Sequence, residues 1–155
     1  VWPKEWAVDY IRVWKSNEGY QKVTKEYNIQ NRQTGHYMYI DPDSTAVKYG
    51  PLTDENAAYA KWEKVKRGDY VLLKNCKTGE YLHIENLAGY VEHGEVPATW
   101  WSAQWTESEV DGYTRLINRW QADYSIHTED YQWLIQYGNV PTTYWTSQWR
   151  FIQTN

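Results

Sequence analysis

The sequence predicts an all-β protein with internal threefold symmetry: a β-trefoil preceded by a short N-terminal strand segment. One observation is a block that occurs three times: Asn31-Arg32-Gln33-Thr34-Gly35-His36-Tyr37, Asn75-Cys76-Lys77-Thr78-Gly79-Glu80-Tyr81 and, more weakly, Asn118-Arg119-Trp120-Gln121-Ala122-Asp123-Tyr124. Each copy runs on to an aliphatic-x-Tyr/His-Gly step (Val47 to Gly50, Val91 to Gly94, Ile135 to Gly138) and closes on a tryptophan, Trp62, Trp105 or Trp149. A second observation is that these tryptophans lie 43 and 44 residues apart. A fixed period in this range marks a repeat architecture. The third is the rhythm within each copy, where short Tyr-, Ile- and Val-rich runs are punctuated by Gly, Asn, Asp and Pro. That rhythm gives about four strands per copy, with no convincing helical period. Propellers usually need at least four blades, so three copies favour the trefoil.

The elements follow in order. Residues 1–26 fall outside the repeats, and within them Ala7 to Trp14 alternates as a strand does. The repeats span 27–69, 70–112 and 113–155. Tyr37-Met38-Tyr39-Ile40, Tyr70-Val71-Leu72-Leu73 and Tyr81-Leu82-His83-Ile84 read as strands. Trp62, Trp105 and Trp149 are expected in the core. Tyr37, Tyr81 and Tyr124 are expected at equivalent, inward strand positions.

Composition then separates core from surface. The chain has 11 Trp and 15 Tyr but one Phe and one Met. Trp and Tyr carry a polar handle and suit half-wet surfaces, so many remain for a binding face once the core is filled. Exposed rings with polar neighbours suit a ligand with one flat apolar face and a hydroxylated rim, such as a sugar. The net charge of −4 carries no nucleic-acid footprint. Repeat two alone carries −5 and the other repeats are neutral. No apolar run approaches a membrane span, and a single cysteine, Cys76, excludes an intrachain disulfide.

Two resemblances sharpen these expectations. Trp2-Pro3-Lys4-Glu5-Trp6-Ala7-Val8-Asp9-Tyr10-Ile11-Arg12-Val13-Trp14 resembles the closing strand of family 16 glycoside hydrolases, which include laminarinases, agarases, porphyranases and carrageenases. Residues 27–155 resemble ricin-type β-trefoil lectins, with Gln-Trp at the end of repeats two and three and Lys-Trp in repeat one. They are more similar to carbohydrate-binding module family 92. The blocks that carry this likeness are Gly94-Glu95-Val96-Pro97-Ala98-Thr99-Trp100-Trp101-Ser102-Ala103-Gln104-Trp105 and Gly138-Asn139-Val140-Pro141-Thr142-Thr143-Tyr144-Trp145-Thr146-Ser147-Gln148-Trp149. The resemblance implies repeat-borne sugar sites built on a Trp and a Glu.

The candidate carbohydrate-binding residues are the pairs Trp100-Trp101 and Tyr144-Trp145, with Glu92 and its counterparts Gln136 and Lys48. Adjacent strand residues face opposite ways, so one ring of each pair is expected outside unless a turn after Pro97 or Pro141 breaks the alternation. A carboxylate beside a stacking ring accepts bonds from two neighbouring hydroxyls, which is the role expected of Glu92. Repeat one lacks the aromatic pair. Its stacking capacity falls to Tyr49 or Tyr59, so this lobe either does not bind or binds something different, with Lys48 supplying positive charge. His83, His93 and His127 are candidate polar contacts. They lie in different repeats without ligand spacing for a metal, and no metal or cofactor is expected. Asp41-Pro42-Asp43-Ser44 lacks the glycine and terminal glutamate of a calcium loop and reads as a turn.

These readings imply a secreted, extracellular, non-catalytic module on a family 16 polysaccharidase. Its expected partners are a polysaccharide and a covalently linked upstream catalytic domain, with no nucleic acid or membrane, and the module is expected to be monomeric. The family 92 resemblance implies carrageenan or β-glucans, and the hydrolase-like tail fits red-algal galactanases as well as laminarinases. The expected ligand is a red-algal galactan such as carrageenan, with sulfate read by Lys48, Arg115 or Arg119. The alternative ligands are β-1,3- and β-1,6-glucans. No Glu-x-Asp-x-x-Glu catalytic strand occurs. A trefoil protease inhibitor or protein-interaction domain is the alternative from another class.

Overall fold

A computed structural model describes residues 23–129 and 132–155. The expected strand over 7–14 lies outside the described residues. Among those described, twelve strands fall four to a repeat. Repeat one holds β1 (Tyr27–Asn31), β2 (Tyr37–Ile40), β3 (Val47–Gly50) and β4 (Trp62–Arg67). Repeat two holds β5 (Tyr70–Asn75), β6 (Tyr81–His83), β7 (Glu92–Gly94) and β8 (Trp105–Val110). Repeat three holds β9 (Tyr113–Asn118), β10 (Ser125–His127), β11 (Gln136–Gly138) and β12 (Trp149–Gln153). The described helix consists of three short 3₁₀ turns, one before each closing tryptophan, and none is long and apolar enough to cross a membrane.

Six strands close into an antiparallel barrel. β1 pairs β4 and β12, β5 pairs β4 and β8, and β9 pairs β8 and β12. Closure leaves the barrel no free edge. The hairpins β2–β3, β6–β7 and β10–β11 cap one end. At the centre of the cap the backbone closes a ring of three hydrogen bonds: Val47 N–H to Val91 O (2.8 Å), Val91 N–H to Ile135 O (2.7 Å) and Ile135 N–H to Val47 O (2.9 Å). These are the aliphatic residues of the repeated step, and all three are buried.

The closing tryptophans are fully buried at equivalent positions. Each indole Nε1–H donates to a carbonyl of its own repeat: Trp62 to Met38 (3.0 Å), Trp105 to Leu82 (3.2 Å) and Trp149 to Ile126 (3.1 Å). The indole thereby buries its large apolar body without orphaning its N–H.

Those bonds correct one expectation. Met38, Leu82 and Ile126 are equivalent, so the counterpart of Tyr37 and Tyr81 is Ser125, and both tyrosines are only half-buried. In repeats one and two the loop after the asparagine turns on Gly35 and Gly79, both at positive φ. Repeat three has Ala122 there, and its loop closes one residue later, with Asn118 N–H bonding Tyr124 O. The extra residue displaces Tyr124 from the position it would otherwise share.

The repeated asparagine is a structural tie between repeats. The Asn118 Oδ1 accepts the N–H groups of Trp120 (2.9 Å) and Gln121 (3.0 Å). Its Nδ2 donates to Ser102 O (2.9 Å) in the 3₁₀ turn of repeat two. In the same way Asn31 holds Thr146 O of repeat three, and Asn75 holds Tyr59 O of repeat one. Each repeat therefore pins the turn of the repeat before it, cyclically. The glycine of the Tyr/His-Gly step also gains a reason. His83 and His127 lie over Gly94 and Gly138 with Nε2 3.1 Å from where a Cβ would stand, and Tyr39 lies over Gly50.

Candidate functional site

The turns held by those asparagines carry the aromatic pairs. After Pro97 the chain makes a tight turn, Trp100 N–H to Pro97 O (3.0 Å), and enters the 3₁₀ turn Trp101–Ala103. Pro141 and Tyr144 repeat this at 3.0 Å before Trp145–Ser147. A turn does not alternate as a strand does, so both rings of each pair reach solvent. Trp100 is 41% exposed and Trp101 53%, while Tyr144 is 44% and Trp145 49%.

Two concavities lie beside these turns, of about 410 Å³ in repeat two and about 350 Å³ in repeat three. The same six positions line both. In lobe two they are Glu85, Thr99, Trp100, Trp101, Ser102 and Trp120. In lobe three they are Glu129, Thr143, Tyr144, Trp145, Thr146 and Gln33. The last member of each set comes from the following repeat, two residues past its asparagine.

A guanidinium backs one tryptophan in each lobe. Arg119 Cζ lies 4.1 Å from the Trp101 ring centroid and 4.1 Å from that of Tyr70. Its Nη1 donates to Gln104 Oε1 (2.6 Å). Arg32 does the same in lobe three, between Trp145 (4.0 Å) and Tyr113 (4.4 Å), bonded to Gln148 Oε1 (2.6 Å). The glutamine amides hold the proline turns, Gln104 to Ala98 O (2.9 Å) and Gln148 to Thr142 O (3.0 Å). The Gln-Trp dipeptide is thus a brace for the platform and a core residue side by side.

A histidine holds the backbone that carries each carboxylate. Glu85 N–H donates to His83 Nδ1 (3.1 Å), and Glu129 N–H to His127 Nδ1 (3.1 Å). An accepting Nδ1 fixes the tautomer with the proton on Nε2. Burial holds the His83 imidazole below its ordinary value, against the opposing pull of Glu92 and Glu85.

Several sequence candidates take other places. Glu92 is only 6% exposed and accepts a bond from Asn86 Nδ2 (3.0 Å). It stands across from His83 in the β6–β7 ladder, and Glu85 occupies the position beside the rings. Gln136 is likewise buried across from His127, and Glu129 lines lobe three. Glu92 and Gln136 are paired within the hairpins, opposite His83 and His127, whereas Glu85 and Glu129 lie two residues beyond those histidines, past the ends of β6 and β10, and line the lobes. Tyr49 is 2% exposed, packed in the core beside His36 and Trp133, and offers no face to a ligand. Tyr59 is half-buried and lines a third concavity of about 470 Å³ with Tyr39, Asp41, Asp43, Pro51 and Glu55.

Three cations expected to read sulfate are engaged. Lys48 Nζ bonds Asp41 Oδ2 at 2.7 Å, which raises the lysine and lowers the carboxyl from their ordinary values. Arg115 is buried and bonded to Ser147, Ser125 and Val140 O. Arg119 is stacked as described. His93 spends both ring nitrogens on Glu80 (3.1 Å) and Ser44 O (2.6 Å). Asp41 to Ser44 forms a turn, with Ser44 N–H on Asp41 O (3.1 Å).

Repeat one lacks the residues that form these two lobes. Ala58 stands where Trp101 and Trp145 stand, Lys61 replaces the brace glutamine, and Cys76 replaces the stacking arginine. Composition had no way to group Trp120, Glu85 and Arg119 in one lobe and Glu129 and Arg32 in the other. Their signal lay in the repeat alignment, where the Arg after the asparagine occurs only where the preceding repeat has the Trp. Trp133 is a further exposed aromatic, stacked on His36 at 5.5 Å.

No family model and no curated protein sequence matches the chain. Among solved structures it is similar to the GlcNAcα1-4Gal-releasing endo-β-galactosidase from Clostridium perfringens, at 56% identity with a TM-score of 0.84. That match covers 89% of this chain and 34% of the galactosidase, so the chain spans about a third of that protein's length. The designed threefold-symmetric protein ThreeFoil matches at 18% identity and TM-score 0.71, over 82% of this chain and 97% of ThreeFoil. A Polyporus squamosus lectin bound to Neu5Acα2-6Galβ1-4GlcNAc matches at 13% identity and TM-score 0.67, over 85% of this chain and 50% of the lectin. The fold is a β-trefoil of the type found in lectins.

Proposed function

We propose that this chain is a non-catalytic carbohydrate-binding module that stacks pyranose rings on Trp101 and Trp145. The observation that carries this reading is the pair of concavities lined by the same six positions, each with an exposed indole, a carboxylate and a hydroxyl. A guanidinium on one side holds each platform ring still, so little freedom is lost when a sugar stacks on the other. The single carboxylate of each lobe, Glu85 or Glu129, accepts bonds from neighbouring sugar hydroxyls. Most glycoside hydrolases use two carboxyl groups flanking one bond, and each of these lobes is lined by one.

The proposed ligand is a neutral galactose-containing glycan. Its support is the 56% identity to a region of an endo-β-galactosidase, together with the engagement of Lys48, Arg115 and Arg119 within the protein. A red-algal galactan such as carrageenan shares the galactose backbone and competes with this assignment, as do β-1,3- and β-1,6-glucans. The module is proposed to sit on the C-terminal side of a secreted family 16 hydrolase, which it holds on its polymer.

The test is a glycan array with neutral galactosides, sulfated galactans and β-glucans, run beside a reducing-sugar assay. Binding to neutral galactosides without release of sugar is expected. Binding confined to glucans would overturn the ligand, and release of reducing ends would overturn the non-catalytic role.

A further inference from the structure

The two lobes share six positions but not their chemistry. Trp100, Ser102 and Trp120 in lobe two stand where Tyr144, Thr146 and Gln33 stand in lobe three. Trp120 belongs to repeat three and reaches lobe two because Asn118 binds both its N–H and the Ser102 carbonyl, at 2.9 Å each. Its ring is 42% exposed and faces the same concavity as the Trp100-Trp101 pair. Lobe two therefore has aromatic walls from two repeats, and lobe three has them from one.

The hydroxyls differ as well. In lobe three Thr146 Oγ1 donates to Glu129 Oε2 at 2.6 Å, so part of that carboxylate is already satisfied. In lobe two Ser102 is only 2% exposed, and its Oγ has no partner. No bond from a described residue reaches the Glu85 carboxylate either. A buried hydroxyl left unpaired carries a desolvation cost that a polar ligand atom relieves.

We infer that lobe two is the principal site and that Trp120 sets its specificity, for a saccharide that offers two apolar surfaces at once. One surface is the pyranose face, laid on an indole of the Trp100-Trp101 pair. The other, against Trp120, is the methyl of an N-acetyl group or the face of an adjoining sugar. A hydroxyl or amide of the ligand meets Ser102 and Glu85. Gln33, at the equivalent place in lobe three, offers an amide and little apolar area, so that lobe gains nothing from the second surface. This inference rests on the carbohydrate reading above.

The test uses calorimetry with three probes: methyl β-galactoside, methyl N-acetyl-β-galactosaminide and N-acetyllactosamine. Trp145→Ala first removes the lobe-three platform. In that protein at least one of the two larger probes should bind about tenfold more tightly than methyl β-galactoside, the size of one added aromatic contact. Adding Trp120→Gln, which copies lobe three, should bring that ratio close to one. Gln33→Trp in a Trp101→Ala protein should raise the same ratio in lobe three, which guards against a Trp120 variant that merely folds poorly. A preference that survives Trp120→Gln in a folded protein overturns the inference and leaves the carbohydrate reading standing. Failure of the parent protein to bind any of the three probes overturns both.

Discussion

Arg119 lies between Trp101 and Tyr70, its Cζ 4.1 Å from each ring centroid. Arg32 repeats the arrangement between Trp145 and Tyr113. In both cases the arginine comes from one repeat and the rings from the repeat before it. The platform is therefore assembled across a repeat junction, and its rigidity depends on the trefoil being closed.

Arg119→Ala should weaken binding at lobe two by roughly 1 kcal/mol, the scale of one cation–π contact together with the order it imposes. Arg119→Lys should recover little of this, because an ammonium lacks the planar face that stacks between two rings. Calorimetry and indole fluorescence quenching measure the loss. Full recovery by lysine would show that charge alone is needed.

Asn118→Ala should cost roughly 2–3 kcal/mol of stability, since it removes several bonds from a buried amide and orphans buried backbone groups. Its binding effect should fall on lobe two, whose Trp120 and Ser102 it ties together. Asn75→Ala should destabilise by a similar amount yet spare lobe two, because it holds the turn of repeat one. Urea unfolding and calorimetry on both variants separate the two effects.

Acid should weaken both the fold and lobe two. The fold favours neutral His83, whose folded value lies below its ordinary one. Between those two values the unfolded chain holds more protons than the folded one. Stability is therefore complete above about pH 6.5 and falls as pH drops through this window. The lowered Asp41 carboxyl adds a loss of the same sign below its ordinary value of 3.8. The charged groups around His83 are Glu92, Glu85, His93 and Glu80. Protonating Nδ1 also ends its bond from Glu85 N–H. His83→Tyr, copying Tyr39 of repeat one, should flatten the decline in melting temperature between about pH 7 and pH 5. An unchanged slope would remove His83 from the explanation.

Binding should be nearly independent of salt. Arg32 and Arg119 are stacked and bonded, and Lys48 is paired with Asp41. Raising ionic strength past about 0.15 M should leave affinity for a neutral galactoside unchanged. A steep loss with carrageenan alone would favour the sulfated ligand.

The sequence carried the fold because three tryptophans at near-equal spacing demand three equivalent pockets, and Trp62, Trp105 and Trp149 fill them. The site was legible as an aromatic turn and hidden as a constellation. Trp100 and Trp101 both reach solvent because Pro97 starts a turn, which strand alternation does not govern. Glu92 stands in an aligned strand column, whereas Glu85, which lines the concavity, lies in a loop just past the strand end. Tyr124 falls out of register with Tyr37 and Tyr81 because the repeat-three loop, with Ala122 in place of a positive-φ glycine, closes one residue later. The placement of Arg119 and Trp120 is not legible for a different reason: their partners lie in the preceding repeat, and only the closed barrel brings the two together.

The most direct measurement compares the parent protein with Trp101→Ala, Trp145→Ala and the double variant, by calorimetry on a short galactoside and by pull-down on a galactose-containing polymer. Each single variant should lose about 1–3 kcal/mol at its own lobe. Because two lobes on one polymer reinforce each other through effective concentration, polymer retention should fall by far more than half. The double variant should remain folded and release the polymer. A folded double variant that still binds polymer as the parent does would contradict stacking on these two rings.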